Sequence, residues 1–144
     1  MKISTIKALS PADGRYADKV HDLRDIFSEY GLIRYRVLVE IRWLQLLAGP
    51  QGVPQIGKLS AGAVARLDHI IETFSVADAQ RIKAIEAQTN HDVKAVEYFI
   101  KDKLDKGGLA QIREWVHFAC TSDDINNTAY ALMLKKGKEL TTNL

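Results

Sequence analysis

The feature that most constrains this chain is the spacing of its apolar residues, which recur at intervals of three and four along almost its whole length. That spacing lines one face of a helix, whereas a half-buried strand needs strict alternation, and no run alternates long enough to argue for one. The fold class read from the sequence is all-α. With 144 residues the chain can build one hydrophobic core and is too short for two ordinary domains.

The stripes place the helices one by one. Val20, Leu23 and Ile26/Phe27 predict a short helix before Ser28. From Ser28 to Ala48 a long second helix is predicted, with Leu32, Val39, Trp43 and Leu46/Leu47 at helical intervals and Gly49-Pro50 as its stop. Arg34, Arg36 and Arg42 are expected on a solvated basic face of that helix. Residues 49–59 hold three glycines and two of the chain's three prolines, which predicts a surface loop.

Ser60 is placed to cap a helix with Val64, Leu67, Ile70/Ile71 and Phe74 inward. Ser75 with Asp78 three residues on is a weaker relative of the capping box, ahead of Ile82 and Ile85. Val93, Val96, Phe99/Ile100 and Leu104 form the next stripe, ended by Gly107-Gly108. Leu109, Ile112 and Trp115/Val116 predict a further helix up to His117. The last helix is predicted from about Asp123 through Ile125, Ala129, Leu132 and Met133, and TTNL at 141–144 offers it no clear C-cap, so the chain reads as part of something longer.

Composition narrows the function classes. Hydrophobic residues make up 47% and charged residues 26%, a globular balance, and no stretch approaches the roughly 20 apolar residues of a membrane span. The opening MKISTIKALSPADGRY lacks the apolar core and cleavage site of a secretory signal, so a cytoplasmic location is expected. A single cysteine, Cys120, excludes an internal disulfide framework. A formal net charge of +2 leaves no basic surplus that would make nucleic acid the main partner, although a local site for a small anion fits.

Four stretches hold more polar residues than a helical bundle needs, the basic face of the second helix and three others. In SPADGRY, residues 10–16, Asp13-Gly14 favours a tight turn because glycine tolerates positive φ, and Arg15 is then set just ahead of a helix start. Its planar fork suits phosphate or carboxylate, while the bland reading is a solvated arginine on an ordinary turn. In TNHD, residues 89–92, Asn90 or Asp92 can cap the following helix; His91 is not needed for that, and near a helix start its neutral imidazole is favoured. In WVHFACTSDDINN, residues 115–127, Thr121, Ser122 and Asp123 suit an N-cap or, through two hydroxyls and helix amides, phosphate oxygens. His117 and Cys120 stand three apart, a spacing compatible with half a zinc site or a Cys-His dyad, though an inert buried cysteine is commoner than either.

Taken together and in this order, SPADGRY, TNHDVKAVEYF and HFACTSDDINN closely resemble the N-terminal part of the adenylosuccinate lyase family of the fumarase/aspartase superfamily. FSEYGLIRYRVLVEIRWLQLLA is similar to the bacterial form, and the resemblance covers essentially the whole chain. It implies an N-terminal helical domain over residues 1–122 and, over 123–144, the start of a central domain of long helices that packs a homotetramer. It implies elimination of fumarate from adenylosuccinate, giving AMP, and from succinyl-aminoimidazole-carboxamide ribotide in purine biosynthesis, with no cofactor or metal. Arg15 and Tyr16 would hold the nucleotide, Arg15 on its phosphate. Asn90, His91 and Asp92 would line the substrate pocket with Thr121 and Ser122, and His117 would support them from behind.

The family's general acid belongs to a Thr-His motif and its general base to a Gly-Ser-Ser-x-Met-Pro-x-Lys loop. Neither is present: the chain has only Met1 and Met133, and neither precedes proline. No residue here is therefore assigned a catalytic role, and the chain alone is expected to be inactive. The alternative is a stand-alone helical interaction module without catalysis, and continuation beyond Leu144 into those motifs would eliminate it.

Overall fold

The computed structural model describes residues 5–142. Among them the helices are α1 (Arg24–Phe27), α2 (Glu29–Leu47), α3 (Ala61–Glu72), α4 (Val76–Thr89), α5 (Asp92–Lys106) and α6 (Ser122–Thr142). Short 3-10 turns occur at Thr5–Lys7, His21–Leu23, Pro54–Ile56 and Ala110–Trp115, and the described residues contain no strand. None of these helices is long and apolar enough to cross a membrane.

Helix α2 is the spine, packing against α1, α3, α4, α5 and α6. It starts where Ser28, in extended conformation, accepts a hydrogen bond from the Gly31 N–H through its hydroxyl at 3.2 Å, satisfying an amide that the helix itself leaves free. Its buried face is Ile33, Val37, Ile41, Leu44 and Leu47. This corrects the expected orientation, because Leu32, Val39 and Trp43 are only half-buried and Leu46 is exposed. An apolar sequence on more than one face fits helical spacing in two rotational phases, and neighbouring helices choose between them. Val39, Trp43 and Leu46 of the rejected stripe, with Ile125, Thr128 and Leu132 of α6, line a groove of ≈ 620 Å³.

The remaining helices close a single core around that face. Leu67, Phe74, Ile82, Val96, Phe99, Ile100 and Leu104 join it, with the Phe74 ring edge-on to Phe99 at 6.0 Å between centroids. Ser60 caps α3 through a bond from the Ala63 N–H. Ser75 and Asp78 form a complete capping box: the Ser75 hydroxyl accepts the Asp78 N–H at 3.3 Å, and the Asp78 carboxylate accepts the Ser75 N–H at 3.1 Å.

One helix expectation changes. The segment predicted as a helix up to His117 is a 3-10 turn, Ala110–Trp115, burying Leu109, Ile112 and Val116. The buried residues Leu109, Ile112 and Val116 lie three and four apart, so their spacing does not tell a 3-10 turn from an α-helix. Helix α6 begins at Ser122 and buries Ile125, Ala129 and Met133. Gly137 interrupts that helix interior at a cost of about 1 kcal/mol relative to alanine. A Cβ there would lie 2.5 Å from the Phe27 ring, so the glycine lets α1 close on α6. Of the TTNL stretch, Thr141 and Thr142 are helical, and Asn143 and Leu144 lie outside the described residues.

Replacing Ser75 by alanine removes one half of the capping box and is expected to lower stability by about 1 kcal/mol. A urea melt should show a lower midpoint with an unchanged slope; an unchanged midpoint would show that the cap does not contribute.

Candidate functional site

The junction between α4 and α5 is built from TNHD. Asn90 ends α4 in the left-handed conformation, φ 51° and ψ 34°, which asparagine tolerates better than most residues, and its N–H bonds the Glu86 carbonyl at 2.8 Å. His91 is then extended and is itself the N-cap of α5: its Nδ1 accepts the Lys94 N–H at 3.2 Å. This corrects the expectation that Asn90 or Asp92 caps the helix, and that a cap leaves His91 unexplained. A nitrogen that accepts carries no hydrogen, so the ring's hydrogen sits on Nε2. The His91 side chain is half-exposed, and Asn90, His91 and Asp92 line an open cavity of ≈ 490 Å³ with Lys83, Glu86 and Ala87.

Asp92 opens α5, and its carboxylate accepts the Val93 N–H at 2.8 Å and Arg36 Nη2 at 2.5 Å. Burial pushes this carboxyl upward, but the Val93 amide and Arg36 outweigh it and hold the group below its ordinary value. Arg36 is 4% exposed, which overturns its placement on a solvated basic face. Its Nε donates to Asn126 Oδ1 at 2.8 Å. One guanidinium therefore ties the start of α5, which carries His91, to the first turns of α6, which carry Ser122.

The stretch between the 3-10 turn and α6 is held by α2 as well. His117 and Ala119 both have left-handed backbones, with φ of 64° and 59°, a conformation that costs a non-glycine residue about 1–2 kcal/mol. They are pinned by Trp43, whose Nε1 donates to the Phe118 carbonyl at 2.8 Å, and by Glu40, whose Oε1 lies 2.6 Å from His117 Nδ1. Thr121 is exposed, and its N–H and hydroxyl both donate to Asp124 Oδ2, at 2.7 and 2.9 Å. Ser122, half-buried, is the first residue of α6.

The Cys-His readings are not built. His117 Nδ1 is engaged by Glu40, and the Cys120 thiol is pushed up to about 11 by burial and by the Glu40 and Asp124 carboxyls, so it remains protonated. No group of three or more His, Cys, Asp or Glu residues that could hold a metal ion occurs among the described residues.

Arg15 and Tyr16 stand apart. Both are exposed, the guanidinium lies over the Tyr16 ring at 4.6 Å from its centroid, and Arg15 borders a cavity of ≈ 300 Å³ with Thr5, Ile6, Ala8, Ser10 and Pro11. Gly14 is needed here for close approach and not for positive φ: a Cβ would lie 2.7 Å from the Thr5 carbonyl oxygen. Nor does a substantial helix follow; residues 11–20 are turns, and α1 has four residues. Among the described residues no hydrogen bond or ion pair joins Arg15 or Tyr16 to His91 or Ser122. The structure thus links two of the three motifs through Arg36 and leaves the third separate.

Sequence reading missed Glu40 and Asn126 and misplaced Arg36. The signal was present: Arg36 and Glu40 are four apart and interleave with Ile33, Val37, Ile41 and Leu44, so they share the buried face once the phase of α2 is known.

The described residues are thus all-helical or in turns and loops, and two of the three polar motifs lie at helix starts. The sequence model of the family described as Lyase matches residues 14–144, and the chain belongs to that family. The curated relatives it resembles are adenylosuccinate lyases. That of Escherichia coli K12 is 54% identical over 140 residues, 96% of this chain and 31% of the relative. That of Haemophilus influenzae is 54% identical over the same shares, and that of Buchnera aphidicola subsp. Schizaphis graminum is 47% identical. The chain spans about a third of the length of these relatives.

Replacing Arg36 by methionine removes its bonds to Asp92 and Asn126 and is expected to cost about 1.5–3 kcal/mol at pH 7, the range for hydrogen bonds to a charged group. A carboxyl whose folded value is depressed binds fewer protons when folded. Its contribution is present above its unfolded value, about pH 4, and disappears as pH falls through the folded value. Urea melts at pH 7 and pH 3 should therefore show a smaller acid-induced loss in the methionine variant than in the parent; equal losses would show that Arg36 does not set the Asp92 carboxyl.

Proposed function

We propose that this chain is the N-terminal part of an adenylosuccinate lyase and supplies one wall of its nucleotide site. The observation that carries the reading is the 54% identity across 96% of the chain to proteins of that name, with all three polar motifs inside the matched stretch. Residues 1–122 form the N-terminal helical domain, and residues 123–144 begin the long-helix domain of a cytoplasmic homotetramer. The partner is a small nucleotide, adenylosuccinate or AMP, and not nucleic acid.

The reaction breaks the bond between carbon and the leaving nitrogen. A base takes the proton from the carbon beside a carboxylate, the electron pair forms the double bond of fumarate, and an acid protonates the nitrogen. Only protons and one bond move, so the step needs no redox cofactor. The groups that transfer those protons belong to the remainder of the protein, and this chain binds and orients. Arg15 pairs with the phosphate, its guanidinium exposed and backed by the Tyr16 ring. His91, held by the Lys94 amide at Nδ1, offers Nε2–H to the substrate beside Asn90 and Asp92. Thr121 and Ser122 add contacts from the start of α6.

In the full-length protein, Arg15→Ala and His91→Ala are each expected to lower kcat/KM for adenylosuccinate by about 100-fold, since small misplacements of bound substrate are costly. Fumarate release followed by absorbance measures this, and near-parental kinetics in either variant removes that residue from the site. The 144-residue chain alone should release no fumarate under the same assay.

A further inference from the structure

Helix α2 carries a second buried ionisable group one turn beyond Arg36. Glu40 is 0% exposed, and its Oε1 lies 2.6 Å from Nδ1 of His117. Its other oxygen, Oε2, is buried without a hydrogen-bond partner. His117 is the ion-pair partner of Glu40 among the described residues; nearby Glu97 adds to the negative charge and is matched by its own lysines, Lys94 and Lys101. A buried carboxyl with one bare oxygen is a poor way to fill space, because an apolar side chain of similar volume avoids the cost of removing it from water. The bond to His117 is what Glu40 provides in return.

The imidazole is fixed from two sides. Its backbone is locked in the left-handed region, and its Nδ1 is committed to Glu40. Nε2 is the nitrogen left for anything else, on a side chain 20% exposed and four residues before Thr121.

We propose that Glu40 is a positioning residue for nucleotide cleavage, holding His117 so that its Nε2 is presented to a hydrogen-bonding group of the substrate. The proposal rests on the lyase reading above. As a carboxylate, Glu40 accepts the Nδ1–H of His117, which fixes the neutral ring in the tautomer whose Nε2 carries no hydrogen. Burial and the nearby Glu97 charge raise the Glu40 carboxyl, and the bond to His117 pulls it back down. Removing the Glu40 charge frees Nδ1 and lets the ring sample both tautomers.

Nitrogen-15 correlation spectra of the imidazoles of this chain at pH 7 test the positioning, with exposed His21 and His69 as references. His117 should show one state with a strongly downfield, slowly exchanging ring proton, and Glu40→Gln should convert it to the averaged pattern of the references. A parent His117 that averages like His21 overturns the proposal, and this holds even if circular dichroism shows that the variant does not fold. In the full-length protein, Glu40→Gln should raise KM for adenylosuccinate about tenfold or more, with kcat within about threefold. An active parent with unchanged KM in the variant overturns this proposal alone. A parent that does not cleave adenylosuccinate overturns the lyase reading and with it the role toward substrate.

Discussion

The guanidinium of Arg36 has to leave water for α2 to pack, and everything around it is arranged so that it does not do so unaccompanied. Taking an ion of that size into a protein interior costs several kcal/mol even after relaxation. Asp92 and Asn126 offset that cost from two different helices, at 2.5 and 2.8 Å. A packing in which α5 or α6 slid by one turn would strand the charge. The pair therefore fixes where the start of α5 and the start of α6 stand relative to one another, a degree of precision that apolar contacts alone do not impose.

Glu40 repeats the arrangement one turn along the same face. It reaches the segment before α6, where His117 and Ala119 hold left-handed backbones that are unfavourable in isolation. The Trp43 indole secures the same segment through the Phe118 carbonyl. The apolar residues of α2 hold the bundle together, and its interleaved polar residues aim the loops. Stability and site geometry are thus carried by one helix face, which is why a substitution there alters both.

The sequence made several local features legible because their causes are local. Ser60 and Ser75 cap the helices that follow, since a serine oxygen satisfies an amide only three residues away. The stripe Val93, Val96, Phe99, Ile100 and Leu104 is buried as read, because Lys94, Lys101 and Lys103 flank it and leave one rotational phase. The phase of α2 was not legible, because Leu32, Val39 and Trp43 compete with Ile33, Val37 and Leu44 for the same role. His91 was misread as dispensable to the cap, since histidine is not a usual N-cap residue and its Nδ1 geometry depends on the ring's orientation.

By itself the sequence determined the helical class, most helix limits, the Ser60 and Ser75 caps and the three polar motifs, all of which follow from spacing and from contacts a few residues long. Only the tertiary structure decided that Arg36 and Glu40 lie inside. It also decided that Arg36 joins Asp92 to Asn126 across 56 and 90 residues, and that His117 faces Glu40 and not Cys120. The physical reason is that a charged side chain is buried or solvated according to whether a partner waits for it, and those partners come from helices far away in the chain.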